Sequence, residues 1–421
     1  MTAGTARAVH FAASIVVGSL GLACSVVAAG QGVSLDGFVQ SHVAARTSRV
    51  DCPSGTACDF PAAELRGQFK AAGKNSPGDA AFLARFDLLR DAAVDDTRLV
   101  TRELFADFTS AKASARLGRQ VITWGVADLL FINDTFPKDW VAFFTGQPMQ
   151  YLKLGSDALK LNAFPGPANF ELVIAGFRPD NTPTSRRFMF ADPLPAGLPR
   201  RALEPGNESG EVEISGRVSG YLASWELAGY VSRTHYRSPA WRVTGSEIVG
   251  DYPRLNTAGA SLAGPIGKGV VSLEAGYYDS PQDLSGRDPS VANSQFRGLV
   301  GYSRQLWEDA TLGLQLYGEC MRNYAAYRQT LPAGLPVKDR LRKVATVRFT
   351  QFFAHQTVTF NLFAFLGVSE EDWYIIPSLR YAFSDNLWAE VGANLFGGDR
   401  TGMFGSMRDN RNAYLTVRYA F

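Results

Sequence analysis

The sequence predicts an all-β protein, a closed antiparallel transmembrane β-barrel of about 18 strands. Three observations support this prediction. Segments of alternating apolar and polar residues recur along the chain, their connections alternate between short and long, and an export signal stands at the N-terminus.

The last segment shows the alternation most clearly. Ala413, Leu415, Val417, Tyr419 and Phe421 occupy every second position, and mostly polar residues stand between them. Successive side chains of a strand point to opposite faces, so this segment has one apolar and one mostly polar face. The segments run for about 9–12 residues, the length that a tilted strand needs to cross a bilayer. Since backbone groups in lipid must all be paired, such strands imply a closed barrel.

Eighteen segments fit this description. The predicted strands cover residues 33–44, 61–72, 80–91, 98–110, 113–124, 152–163, 168–178, 210–220, 223–235, 254–264, 268–279, 294–305, 309–322, 341–353, 356–367, 372–383, 386–397 and 411–421. Sixteen strands is the alternative, if the segments within 33–72 are not both strands.

The connections give a second line of evidence for a barrel. From the sixth strand onward they alternate between short and long. Outer-membrane barrels pair short periplasmic turns with longer extracellular loops. An even strand number then predicts that both termini lie in the periplasm.

Residues 1–29 are typical of a secretory signal peptide, which assigns residues 30–421 to the barrel. Arg7 supplies a positive charge before an apolar stretch, and the small residues Val27, Ala28 and Ala29 fit a cleavage site. The alternatives are an uncleaved membrane anchor and a lipoprotein acylated at Cys24.

Export places the mature chain in an oxidising compartment. Cys52 and Cys58 flank a short segment with Pro and Gly, and such a loop can close a disulfide. We therefore expect a Cys52–Cys58 bond. No His or acidic cluster surrounds the pair, so we expect no metal there.

The chain ends in Tyr419-Ala420-Phe421, after apolar residues at every second position. This ending resembles the terminal signal of bacterial outer-membrane proteins. The resemblance implies recognition by the barrel-assembly machinery and a place in the outer membrane of a Gram-negative bacterium, among its lipid and lipopolysaccharide.

The third outward connection, residues 125–151, is too long to be a mere link between strands, which favours a functional loop. Its apolar residues need burial, and the bore of the barrel could supply it. Asp128, Asp134, Lys138 and Asp139 would then lie near the narrowest point and set the local field. The alternative is a structural lid over the mouth, with its carboxylates paired to barrel arginines.

Two resemblances bear on this loop. In general porins the third loop folds into the barrel and narrows it, and the placement here is similar. The elements Gly118-Arg119-Gln120, Trp124-Gly125, Asp128 and Pro137-x-Asp139 also resemble a group of proteobacterial outer-membrane barrels akin to alginate-export porins. This second resemblance covers about residues 98–140, and it is more specific for the fold than for the substrate.

Further candidates for the constriction or for solute binding lie on the predicted lumen face. They are Glu103, Asp107, Arg116, Gln120 and Trp124. The alternative role for each charged residue is pairing within the bore, because charges away from bulk water are paired. Arg119 falls on the opposite face unless a bulge shifts the register.

These features favour a channel for passive or substrate-selective diffusion of small hydrophilic solutes, because a barrel of 16–18 strands leaves an aqueous lumen unless it is plugged. The alternative is a structural barrel that sheaths or anchors a partner, such as a cytochrome or a surface assembly. Catalytic motifs such as Gly-x-Ser-x-Gly and His-Glu-x-x-His are absent, which argues against an enzyme. We expect no cofactor and, with a net charge of +2 and no basic block, no nucleic-acid partner. The sequence leaves monomer and homo-oligomer both open.

Overall fold

A computed structural model of the protein describes residues 32–48, 50, 57–189, 194–195, 197–206 and 210–421. The predicted signal peptide, residues 1–29, lies outside the described residues, and so does Cys52. The signal peptide and the Cys52–Cys58 bond therefore stay predictions.

Eighteen antiparallel strands form one sheet that closes on itself, because the last strand pairs with the first. In chain order the strands are β1 (Val33–Arg46), β2 (Ala62–Lys74), β3 (Ala80–Asp91), β4 (Asp96–Thr109), β5 (Ala113–Gln120), β6 (Ser156–Ala163), β7 (Ala168–Ala175), β8 (Arg200–Leu203), β9 (Glu213–Leu222), β10 (Trp225–His235), β11 (Ala240–Thr244), β12 (Glu247–Asp251), β13 (Arg254–Ile266), β14 (Gly269–Asp279), β15 (Gln295–Trp307), β16 (Ala310–Met321), β17 (Leu341–Phe353), β18 (Val358–Gly367), β19 (Asp372–Ala382), β20 (Leu387–Gly398) and β21 (Asn412–Ala420). All except β8, β11 and β12 belong to the barrel, and those three form a separate small sheet in two of the long connections.

The predicted 18-strand barrel is confirmed, and the alternative of 16 strands is wrong because β1 and β2 are both barrel strands. The largest differences in strand bounds lie beside the third long connection. There β5 ends at Gln120 and β6 begins at Ser156, each four residues short of the predicted limit. The chain leaves the wall at these two points to form the connection itself.

The two rims differ in their connections. One, the short-turn rim, carries turns such as 110–112, 223–224 and 308–309. The other, the long-loop rim, carries every long connection together with two short ones, 92–95 and 368–371. Residues 121–155, hereafter the third loop, form the third connection at the long-loop rim.

Helices are few and short. The third loop contains α1 (Trp140–Phe144) and a 3-10 helix (Met149–Tyr151), α2 (Tyr324–Thr330) lies between β16 and β17, and a second 3-10 helix (Gly405–Asn410) precedes β21. Within the described part of the chain, no helix is both long enough and apolar enough to span a membrane.

The strands alternate as predicted, with one apolar exposed face and one polar face. Leu117, Val231 and Leu316 are among the large apolar residues of the exposed, outer face. The inner face pairs charged residues across strands, as in the register of Asp107 with Arg116. Arg119 pairs with Leu104 on the outer face, as its position in the alternation predicts.

Candidate functional site

The third loop is bonded to inner-face side chains of distant strands. One buried attachment is Glu274 on β14, which is only 3 % exposed. One of its carboxylate oxygens accepts the backbone N–H groups of Val126 and Ala127, at 2.9 and 3.0 Å. The other accepts the backbone N–H and the side-chain amide of Asn133, both at 2.9 Å. One carboxylate therefore satisfies four donors of the loop.

Two glycines allow this close contact. Gly125 has φ +82, a conformation that L side chains rarely adopt, and a Cβ there would stand 2.6 Å from Glu274 Oε1. A Cβ on Gly276 of β14 would stand 2.8 Å from Ile132 Cγ2. The loop thus packs against the wall at a distance that larger residues would not permit.

Asp128 provides a second attachment. Its carboxylate forms a two-pronged ion pair with Arg348 on β17, with one N···O distance of 2.8 Å. Its backbone N–H donates to Gln315 Oε1 of β16 at 2.8 Å, and its carbonyl accepts from Gln315 Nε2 at 2.9 Å. The ion pair is about two-fifths exposed, unlike the buried Glu274 site.

An aromatic cluster holds the middle of the loop. Phe143 and Phe144 of α1 pack edge-on against Tyr374 of β19, with ring centroids 5.5 and 5.6 Å apart. Tyr374 is fully buried and stacks on Phe396 of β20 at 4.4 Å. Aromatic pairs of this kind contribute beyond the area that they bury, so α1 is fixed to the wall.

Polar contacts with β1 and β2 fix the end of α1 and the residues after it. His42 Nε2 lies 3.0 Å from the carbonyl oxygen of Thr145. Gln147 donates its amide to Glu64 at 2.7 Å. Two guanidinium groups lie over the ring of Tyr151, that of Arg66 at 4.0 Å and that of Arg102 of β4 at 4.8 Å, a favourable cation–π arrangement.

The other three charged residues predicted for the constriction bind groups of the third loop or of the connection after β7 rather than a barrel strand. The Asp134 carboxylate is almost fully buried and lies 2.9 Å from the Lys138 ammonium and 2.7 Å from that of Lys153. Burial lowers the pKa of Lys138. Asp139 caps α1 by accepting the Ala142 N–H at 2.8 Å, and burial raises the pKa of this carboxyl. These three residues shape the loop, and only Asp128 of the four reaches a barrel strand through its carboxylate.

The predicted strand residues are also internally bonded. Glu103 lies 2.7 Å from Arg85, and Asp107 forms a bidentate pair with Arg116 near the short-turn rim, at 2.7 Å for both bonds. Gln120 is fully buried and donates to the Ala158 carbonyl at 3.0 Å.

Trp124 is also buried, but it lies beyond the end of β5. Its indole N–H donates to Glu171, and its ring packs edge-on against Phe136 at 5.1 Å. The structure therefore places Trp124 in the apolar packing at the start of the third loop rather than on a strand.

Two large cavities adjoin the third loop. The Arg297 cavity, of about 590 Å³, lies toward the long-loop rim and includes Arg297, Glu319 and Tyr278 among its lining residues. The Arg348 cavity, of about 520 Å³, lies from mid-wall toward the short-turn rim. Its charged lining residues are Arg85, Arg102, Glu103, Asp128, Lys153 and Arg348.

Several residues that attach the loop or line the two cavities were not predicted as site residues. Arg102 occupies an irregularity of β4, where Arg85 pairs with Glu103 and Phe86 pairs with Thr101. The alternation gives no signal for such a bulge. Glu274 does fall on the predicted polar face, but nothing in the sequence marks it as the loop's attachment.

Within the described residues, no group of three or more His, Cys, Asp and Glu side chains is placed to hold a metal ion.

No protein-family model matches the sequence, and no curated protein matches it at the sequence level. Solved structures match over almost the whole chain. OccK3 (OpdO) of Pseudomonas aeruginosa matches with a TM-score of 0.54 and 10% identity, over 92% of this chain and 95% of that one. OccK5 (OpdH) of the same organism gives 0.53 and 12%, over 93% and 98%. The P. aeruginosa outer membrane protein opdK gives 0.53 and 10%, over 92% and 98%. At these identities the likeness is one of fold, and the resemblance to alginate-export porins stays a prediction.

Proposed function

We propose that this chain is an outer-membrane channel for small hydrophilic solutes, and that its third loop lies inside the barrel and narrows it. The Asp128–Arg348 pair carries the proposal. The loop leaves the wall after β5, the fifth barrel strand, and Arg348 stands on β17, the fourteenth. The difference, 14 − 5 = 9 of 18 strands, is half of the circumference, so the shortest path between them crosses the bore.

The two faces of the wall support a place in a membrane. The outer face exposes large apolar side chains over strands of membrane-spanning length, and the inner face is polar. The fold likeness to an outer membrane protein agrees with this location. Outer-membrane barrels have their short turns on the periplasmic side, so the short-turn rim and both termini face the periplasm in this proposal. The terminal Tyr419-Ala420-Phe421 would be read by the barrel-assembly machinery, and the surroundings would be outer-membrane lipid and lipopolysaccharide.

The charges of the Arg348 cavity favour anions. Four cationic side chains and two carboxylates line it, which leaves an excess of two positive charges. Rings of charged side chains at a constriction set ion preference. We therefore propose that small anions pass more readily than cations.

Planar-bilayer recording of the refolded protein tests the proposal. Wild type is compared with a variant in which a short Gly-Ser linker replaces residues 126–147, and heat-dependent gel mobility shows that each barrel is folded. We expect stepwise conductance in wild type, a larger conductance in the variant, and a reversal potential of the anion-selective sign in a salt gradient. A folded wild type and a folded variant that both stay closed would reject the channel. Equal conductance in the two would reject the inward loop.

A further inference from the structure

Phe131 stands in the middle of a short arch of the third loop. One end of the arch is Asp128, bonded to Arg348 and Gln315. The other end is Asn133, bonded to Glu274. Only four residues separate these two ends, so the arch has little freedom to move away from the wall.

The same side chain borders both large cavities. Phe131 lines the Arg297 cavity on the long-loop side and the Arg348 cavity on the short-turn side. It also lines a third cavity of about 250 Å³, which is bounded by the aromatic cluster around Phe143. Its ring therefore lies at the boundary between the two large cavities.

Neighbouring groups hold the ring in place. The Lys138 ammonium lies 4.4 Å from the ring centroid, and that of Lys153 lies 5.8 Å away. Both lysines are bound to the buried Asp134 carboxylate. Trp140 packs edge-on against the ring at 5.9 Å. The position of the ring is thus fixed by contacts on several sides.

We propose that Phe131 is the side chain that sets the size limit of the permeation path. This inference rests on the proposed channel function. The ring is an apolar element between two cavities that both have charged side chains in their lining, and a narrow apolar passage opposes the entry of water and charged solutes. Charged side chains flank it on both sides, Arg297 in one cavity and Arg348 in the other, so a charged solute loses its polar partners only while it passes the ring.

Three substitutions test this role in single-channel recordings. Phe131→Ala removes the ring, and we expect a conductance roughly twofold or more above wild type, together with entry of larger polyethylene glycols. Phe131→Trp enlarges the ring, and we expect lower conductance. Leu130→Ala is the matched control, because Leu130 belongs to the same arch and lines only the third cavity. It should leave the conductance and the size limit near those of wild type.

The outcomes separate this inference from the channel function itself. If wild type conducts, but Phe131→Ala and Phe131→Trp conduct as wild type does, Phe131 does not set the limit and the channel stands. An effect of Leu130→Ala as large as that of Phe131→Ala would also reject a specific role for Phe131. If wild type and all variants are folded but silent, the channel function fails and the inference fails with it.

Discussion

Replacing Glu274 by Gln should weaken the attachment of residues 126–133 of the third loop to β14. The carboxylate accepts four N–H groups, two at each oxygen. Gln has the same shape but only one accepting oxygen, and its NH₂ group is itself a donor. Whichever way the amide turns, two of the four loop donors lose their acceptor and face another donor.

The free energy lost in Glu274→Gln follows from the number of hydrogen bonds that are broken. A hydrogen bond to a charged group contributes about 1.5–3 kcal/mol. Two such bonds are lost, so the loop attachment should weaken by roughly 3–6 kcal/mol. Since about 1.4 kcal/mol is a tenfold change in an equilibrium constant, local opening should become about 10²–10⁴ times more frequent. The barrel strands keep their own ladder of hydrogen bonds, so they should remain folded.

Amide hydrogen exchange of the protein in detergent or nanodiscs measures this opening. We expect the amides of Val126, Ala127 and Asn133 to lose protection in Glu274→Gln, while amides in the middle of β14 keep theirs. Glu226→Gln is the control, because Glu226 pairs with Arg217 near the short-turn rim and does not touch the loop. Unchanged protection at the three loop amides would refute Glu274 as the loop's attachment.

Four further predictions concern the same loop and its neighbourhood. Gly125→Ala should destabilise the loop by about 1–3 kcal/mol, because it combines a positive φ with a contact between the new Cβ and Glu274; faster exchange at Val126 would show it, and normal exchange would contradict it. Asp128→Asn should lower the free energy of unfolding by at most about 1 kcal/mol, since the ion pair with Arg348 is partly exposed. We expect larger current fluctuations in single-channel recordings and an unchanged unfolding temperature. Burial raises the pKa values of Asp139 and Asp180 above 3.8, so the folded protein binds protons at these groups more readily than the released loop, and the stability of the loop should fall as the pH rises through the raised pKa values. Protection factors at Ala142 should therefore be higher near pH 4 than at neutral pH, and the reverse order would contradict the argument. Mass spectrometry of the non-reduced peptide with Cys52 and Cys58 should show a mass that rises by two hydrogens on reduction, and free thiols in the exported protein would reject the bond.

The barrel wall could be predicted because one physical rule acts at every strand. The outer face is apolar and the inner face is polar, so each strand repeats the same alternation. Ala413, Leu415 and Val417 indicate the outer face of β21 without any knowledge of its neighbours. The rule gave the position of Arg119 on the outer face as well, because no bulge lies in β5.

The attachments of the third loop could not be predicted, because they depend on how the barrel closes. Asp128 was predicted as a candidate for the constriction, but its partner Arg348 lies 220 residues away in the chain. Glu274 lies 148 residues from Val126. Which strands face the third loop depends on the number of strands in the barrel, and a change of two strands would have moved the partner.

The arch that carries Phe131 has supports of unequal strength. At Asn133 the partner is a buried carboxylate, and the loss of any of its bonds leaves a buried group unpaired, which is costly. At Asp128 the ion pair is partly exposed, and water can replace much of it. Two hydrogen bonds between the Gln315 amide and the backbone of Asp128 remain. Both partners in these bonds are uncharged, so the bonds are weaker than those to a carboxylate. In the proposed channel, a solute that passes the ring should thus displace the Asp128 end of the arch first, while the Asn133 end acts as the pivot. Asp128→Asn and Glu274→Gln should then differ in kind, the first easing brief movements of the arch and the second detaching Val126, Ala127 and Asn133 from β14.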